Sequence, residues 1–273
     1  MKRPAPLLAP LLLLACAACH STAPEAGNAA NTAAAAVAAE PIPPSSFWLR
    51  ANDGLTVRGT IYRADKPKAI ILLFHQAGSS KDEYATIAPR LVKAGYSALA
   101  IDQRSGGALF GKNETAAVAR QPASSVGRPE GLDYLDAKPD LQAAVDWARR
   151  ENLPIILWGS SYSASLVFPV AAENVGPIKA VLAFSPGEYF ADKHLVEDAA
   201  KKLTVPVFVT SAADPEEIAE AGKIAEAVPG GNATIYKPLD GVHGSSTLIA
   251  AKEPKGAEAN WQAVLAFLKK VAP

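Results

Sequence analysis

After an Ala- and Pro-rich opening stretch, the hydrophobic residues gather into short continuous runs at 69–74, 97–101, 154–158, 180–184, 205–210 and 233–236. Runs of that length without polar alternation predict strands buried on both faces of a parallel sheet. Helical periodicity fills the gaps between them. It marks 82–94, which stops before Gly95, and 140–151, with Leu141, Ala144, Val145 and Ala148 on one face. It also marks 162–174, 260–271 and 215–228, where Pro215 suits a first helical turn. Two earlier strands, 47–50 and 55–63, are joined by Asn52-Asp53-Gly54, whose Asp-Gly pair predicts a hairpin. The pattern therefore predicts one α/β domain over 46–273. It should hold a mostly parallel central sheet of about eight strands, with an antiparallel N-terminal ribbon and helices on both faces.

The opening stretch has a different character. Lys2 and Arg3, the apolar run 7–14 and the small residues Ala15, Ala17 and Ala18 have the layout of an export signal over 1–19, too short to span a bilayer. Both cysteines of the chain, Cys16 and Cys19, fall beside the expected cleavage point. Leu13-Leu14-Ala15-Cys16 resembles the lipobox of bacterial lipoproteins, with Cys19 after Ala17-Ala18 as the competing lipidation site. That resemblance implies an exported protein anchored by lipid and facing the periplasm or cell surface. Soluble periplasmic or secreted protein is the other outcome. Residues 20–45 lack large apolar side chains apart from Val37 and Ile42 and end in Pro41-Ile42-Pro43-Pro44, the composition of a flexible tether. With no cysteine beyond Cys19, the folded domain has neither an internal disulfide nor a thiolate metal site. Charge narrows the partners further: Lys+Arg and Asp+Glu stand at 27 each, so no broad basic field exists to attract nucleic acid.

In a parallel sheet, ligand chemistry gathers at the carboxyl ends of the strands. The run Ile155-Ile156-Leu157-Trp158 leads into Gly159-Ser160-Ser161-Tyr162-Ser163, a small-residue turn before a helix. A turn this tight needs small residues two before and two after its centre, which lifts the Ser161 hydroxyl clear of the sheet. A serine needs a base to accept its proton. His243, in Leu239-Asp240-Gly241-Val242-His243-Gly244, follows the last strand, whereas His194 lies in a polar connection and His75 closes the first parallel strand. An acid should orient the base, and Asp214 in Ala212-Ala213-Asp214-Pro215 follows a strand between the two. Asp214 also fits an N-cap with Pro215 at the first helical position. Glu188, in Ser185-Pro186-Gly187-Glu188, is the reserve acid.

These motifs resemble the α/β-hydrolase superfamily, in particular its serine esterase and dienelactone-hydrolase-like branches. Gly159-Ser160-Ser161-Tyr162-Ser163 is similar to the nucleophile elbow G-x-S-x-G, with Ser163 replacing the second glycine. The order Ser161, Asp214, His243 is that family's order of nucleophile, acid and base. The resemblance implies an oxyanion hole built from the backbone N–H of Tyr162 and that of Gln76, which replaces the first glycine in His75-Gln76-Ala77-Gly78. Asp102-Gln103-Arg104-Ser105-Gly106-Gly107 resembles the fold's D-x-R-G-x-G turn and carries a structural expectation. The implied activity is hydrolysis of a small acyl ester through an acyl-enzyme, requiring no metal or organic cofactor. A peptidase or thioesterase on the same scaffold, or a binding protein without turnover, remain the rivals. The weakly periodic stretch 105–139 has the length of a lid or binding loop. The connection between the strand ending at 184 and the one beginning at 205 is short where many relatives insert a cap, which implies an open site.

Overall fold

A computed structural model describes residues 42–119 and 133–273. The export signal, Cys16, Cys19, all but the end of the tether, and the middle of the 105–139 stretch lie outside the described residues. Among the described residues no helix is long and apolar enough to cross a membrane.

Eight strands form one sheet: β1 (Ser45–Arg50), β2 (Thr56–Tyr62), β3 (Ile70–Phe74), β4 (Ser97–Ile101), β5 (Ile155–Ser160), β6 (Ile178–Phe184), β7 (Val207–Thr210) and β8 (Ala233–Tyr236). Their order is β1-β2-β4-β3-β5-β6-β7-β8. β1 and β2 are antiparallel, as is the β2–β4 pair, and every pairing from β4 onward is parallel. The hairpin turns at Gly54, whose φ of 87° sits where glycine has no steric cost.

Seven α-helices accompany the sheet among the described residues: α1 (Ile87–Lys93), α2 (Glu114–Ala119), α3 (Lys138–Ala148), α4 (Tyr162–Glu173), α5 (Leu195–Ala200), α6 (Pro215–Ala227) and α7 (Ala257–Val271). The expected helix 82–94 is two pieces, a 3-10 turn at Lys81–Tyr84 and then α1. Ser80 caps the turn through its side chain and Thr86 begins the helix anew.

The continuous apolar runs are explained by burial on both sides. In β3, Ile70, Leu72 and Phe74 pack with residues of α3, α4, α5 and α6, while Ile71 and Leu73 pack with residues of α1 and α7. All five are fully buried, and each such side chain contributes on the order of 1.5–3 kcal/mol through burial. This three-layer packing holds the ends of β3, β5, β6 and β7 rigidly along one rim. The α/β-hydrolase fold is thus the observed one.

Candidate active site

The tightest feature of that rim is the turn from β5 into α4. Ser161 sits between them with φ 60° and ψ −124°, a strained conformation for a residue with a side chain. Gly159 is obligatory, because a Cβ there would lie 2.3 Å from the Ser163 carbonyl oxygen and 2.5 Å from the Ala164 Cα. Ser163, which replaces the family's second glycine, has its own work. Its hydroxyl donates to the Phe74 carbonyl at 2.6 Å and accepts from the Ser160 N–H at 3.0 Å, tying the elbow to the end of β3. Ser161 follows the last sheet residue and precedes the first helical one, so the Tyr162 N–H is one of the helix's unpaired N-terminal donors.

His243 reaches this serine from the loop after β8. Its Nε2 lies 2.8 Å from the Ser161 Oγ, across 82 residues of sequence. The adjoining residues are anchored from below: the Gly244 N–H donates to the Ser185 Oγ at 2.9 Å and the Ser245 N–H to the Ser160 Oγ at 2.8 Å.

The acid beside the imidazole is Glu217, not Asp214. Glu217 Oε1 lies 2.8 Å from His243 Nδ1, and its Oε2 accepts the Ala212 N–H at 3.1 Å. Burial alone would raise its pKa, but hydrogen bonds from His243, Ser185 and the Ala212 N–H outweigh that and hold it down at about 2. An ionised Glu217 requires a proton on Nδ1, which leaves Nε2 as an acceptor for the Ser161 hydroxyl. Asp214 instead caps α6, accepting the N–H groups of Glu216 and Glu217 at 2.9 and 3.1 Å. The capping side chain faces its own helix and has no reach to spare. Glu217 sits one turn further on, the i+3 position, with one more methylene. Glu188 is also a capping residue: it accepts the N–H groups of Val196 and Glu197 at the start of α5.

The Gln76 N–H is likewise committed elsewhere, donating to the buried Glu83 Oε2 at 2.9 Å. It is therefore not available to an oxyanion. The next amide of that loop, Ala77 N–H, has no acceptor among the described residues. The Gln76 side chain extends toward Ser246, in the loop after His243. His75 is structural. Its Nε2 accepts the Gln103 N–H at 3.0 Å, its Nδ1 faces the Gln76 carbonyl at 2.8 Å, and burial lowers its pKa to about 4, so the ring is neutral.

Asp102 and Arg104 have the structural roles expected of their turn. Asp102 accepts the N–H groups of Lys81 and Glu114, while the buried Arg104 is held by Asp140 and Asp53. Tyr134 stacks on Tyr162 with ring centroids 4.6 Å apart, and the Tyr189 hydroxyl donates to the Ser185 carbonyl at 3.0 Å. Burial and the nearby Glu217 charge push the Tyr189 phenol up to about 12. A cavity of about 600 Å³ adjoins it, bounded by Pro186, Gly187, Glu217 and Ile224.

Known proteins agree with this architecture. A family model described as serine aminopeptidase, S33, matches residues 65–217, a span that contains Ser161 and ends at Glu217. The chain is similar in structure to a dienelactone hydrolase from Anabaena variabilis, with 18% identity, TM-score 0.65, and 85% of this chain and 99% of the other covered. It is similar to an esterase from Pyrococcus furiosus, with 18% identity, TM-score 0.62, and 85% and 94% covered. A thermostable carboxyl esterase from Bacillus coagulans gives 11% identity, TM-score 0.62, and 85% and 100% covered. No curated protein matches the sequence.

Proposed function

The chain belongs to the serine aminopeptidase S33 family of α/β-hydrolases, and from that premise we propose that it is a serine esterase acting on small or short-acyl carboxylic esters. The observation that carries the reading is the unbroken relay from the Ser161 hydroxyl through both nitrogens of His243 to Glu217, with 2.8 Å at each step. Ser161 Oγ attacks the acyl carbon as His243 Nε2 takes its proton, and the ionised Glu217 stabilises the imidazolium that forms. The N–H groups of Tyr162 and Ala77 receive the oxyanion, each donor being worth about 2.7–4 kcal/mol in the transition state. Collapse returns the proton to the departing alkoxide, and water then releases the acyl group by the same steps in reverse order. No step of this scheme draws on a metal or organic cofactor.

Support for a small acyl group comes from the connection between β6 and β7. It carries a single short helix, α5, six residues long, and no inserted cap domain. The neighbouring structures are described as esterases and dienelactone hydrolases, while the family's description names an aminopeptidase. A panel of p-nitrophenyl esters of increasing acyl length, run beside aminoacyl p-nitroanilides and acyl thioesters, separates these activities. Turnover of acetate and butyrate esters above the long-chain and anilide substrates is expected. A preference for aminoacyl anilides, or for long acyl chains, would overturn the ester reading.

The leader supports a second, separate proposal, a lipid anchor at Cys16 or Cys19 that places the domain outside the cytoplasm. Replacing both cysteines with serine should move the protein from the membrane fraction to the soluble one, and unchanged fractionation would count against it.

A further inference from the structure

Below the elbow lies a carboxyl group that this chemistry does not use. Glu83, in the 3-10 turn before α1, is 1% exposed. A glutamate is stable in such a place only when its oxygens are matched. Oε2 accepts the Gln76 N–H at 2.9 Å, and Oε1 accepts the Ser160 hydroxyl at 2.7 Å. The Ser160 oxygen in turn accepts the Ser245 N–H at 2.8 Å. One side chain therefore joins the loop that carries Ala77, the residue before the nucleophile and the segment that follows His243. These are the three parts whose relative placement acyl transfer depends on.

The bonding pattern suits an ionised group. Both oxygens act as acceptors, from the Gln76 amide and the Ser160 hydroxyl, and these bonds favour the anion against the burial that disfavours it. No Lys or Arg forms an ion pair with Glu83 among the described residues; Lys81, two residues earlier, is paired with Asp102 and Glu114. The groups around Glu83 are the hydroxyls of Ser160 and Ser79, the buried phenols of Tyr84 and Tyr162, and the imidazole of His243, which favours the anion when it takes up the serine proton. Tyr84 itself donates to the Phe74 carbonyl, and Asp82 precedes it on the same turn.

We propose that Glu83 is a positioning residue for acyl transfer: as a buried carboxylate it locks the oxyanion loop, the elbow and the base loop together. By engaging the Gln76 amide it leaves the Ala77 amide to the substrate. This inference rests on the hydrolase reading. Burial raises the Glu83 pKa to about 7, against the hydrogen bonds from Ser160 and Gln76, so protonation of this group falls in the neutral range and disables the lock from the acid side.

The test is the pH dependence of kcat and KM for p-nitrophenyl acetate with wild type, Glu83→Gln and Ser160→Ala, each as the full chain and each checked by circular dichroism. For Glu83→Gln, kcat should fall about 10- to 100-fold, the scale of a sub-ångström to ångström misplacement, with KM within about threefold. The acid limb of the wild-type kcat profile should carry two protonations, and that of Glu83→Gln one. Ser160→Ala cuts the link to Ser245 but keeps the carboxylate, so it should lose activity while retaining the two-proton limb. A Glu83→Gln variant with wild-type kcat and an unchanged acid limb overturns the proposal. If that variant fails to fold, a Ser160→Ala variant with full activity overturns it instead. A wild type that neither turns over any ester nor reacts with a fluorophosphonate would defeat the hydrolase reading itself and this inference with it.

Discussion

Replacing Glu217 with Gln and Asp214 with Asn removes one charge from each carboxylate at nearly constant shape, and the two variants should behave very differently. The Glu217 carboxyl is held at about 2 against an ordinary 4.5, which corresponds to about 3 kcal/mol favouring the anion, shared among its three donors. Its side chain is 27% exposed, so solvent screening reduces that figure, and about half of the remainder falling to His243 gives roughly a tenfold floor on the loss. The amide geometry raises the loss further. If the glutamine turns its oxygen to His243 Nδ1, its NH₂ meets the Ala212 N–H, which now donates to Oε2 at 3.1 Å. If it turns its NH₂ to Nδ1, the ring proton moves to Nε2 and the imidazole can no longer take the proton of Ser161. That inverted tautomer costs about 10⁴ in kcat in the triad enzymes. Glu217→Gln should therefore lose about 10²- to 10⁴-fold in kcat on p-nitrophenyl butyrate with little change in KM. Asp214→Asn keeps the cap on α6 and should stay within about threefold of wild type, since Asn caps as well as Asp does. A Glu217→Gln variant within tenfold of wild type, or an Asp214→Asn variant losing as much, would refute the assignment of the acid.

Further expectations concern stability. Ser163→Gly strands the buried Ser160 N–H and should cost about 1–3 kcal/mol, lowering Tm by roughly 2–4 °C per kcal/mol; an unchanged Tm would deny the hydroxyl its tie to β3. Asp140→Ala leaves the Arg104 guanidinium buried and partly uncompensated, and should cost about 3–5 kcal/mol in urea unfolding, far more than an exposed pair such as Arg90–Glu258 would. The pH profile of Tm carries two opposed contributions. His75, lowered from 6.5 to about 4, withdraws stability as pH falls through that window, because the unfolded chain binds the proton first. Glu83, raised from 4.5 to about 7, contributes stability that is complete below 4.5 and lost as pH rises to about 7. Each displacement is worth about 3 kcal/mol, so wild-type Tm should be nearly flat between pH 4.5 and 6.5, whereas Glu83→Gln should gain stability with rising pH there. Parallel profiles for the two proteins would contradict the buried, titrating Glu83.

The sheet was legible because its strands are buried on both faces. The runs 97–101 and 233–236 coincide with β4 and β8, and 69–74 overshoots β3 by one residue. Ser161 could be singled out because it follows a strand two residues after a glycine that a tight turn demands, and His243 because it lies between Gly241 and Gly244 in the loop after the last strand. The acid was harder to read. At a strand-to-helix junction a carboxylate serves equally well as a cap or as a partner for histidine, and the two uses share the same local pattern. Only the direction of α6 shows that position 214 faces its own helix while position 217 faces the base. The oxyanion loop conceals a longer-range dependence. The direction of the Gln76 amide is set by Glu83, and in a periodic segment that residue reads as a solvated acid on a helix surface. Its burial arises from the break between the 3-10 turn and α1, which shows no signal stronger than Thr86 and Pro89.

The most direct measurement is the mass of the intact protein after exposure to a fluorophosphonate, followed by mapping of the modified peptide. A single adduct on the peptide containing Ser161 is expected, absent in Ser161→Ala and formed far more slowly in His243→Ala. Absence of any adduct on the folded wild type, or one located on a serine other than 161, would contradict the relay on which the proposed function depends.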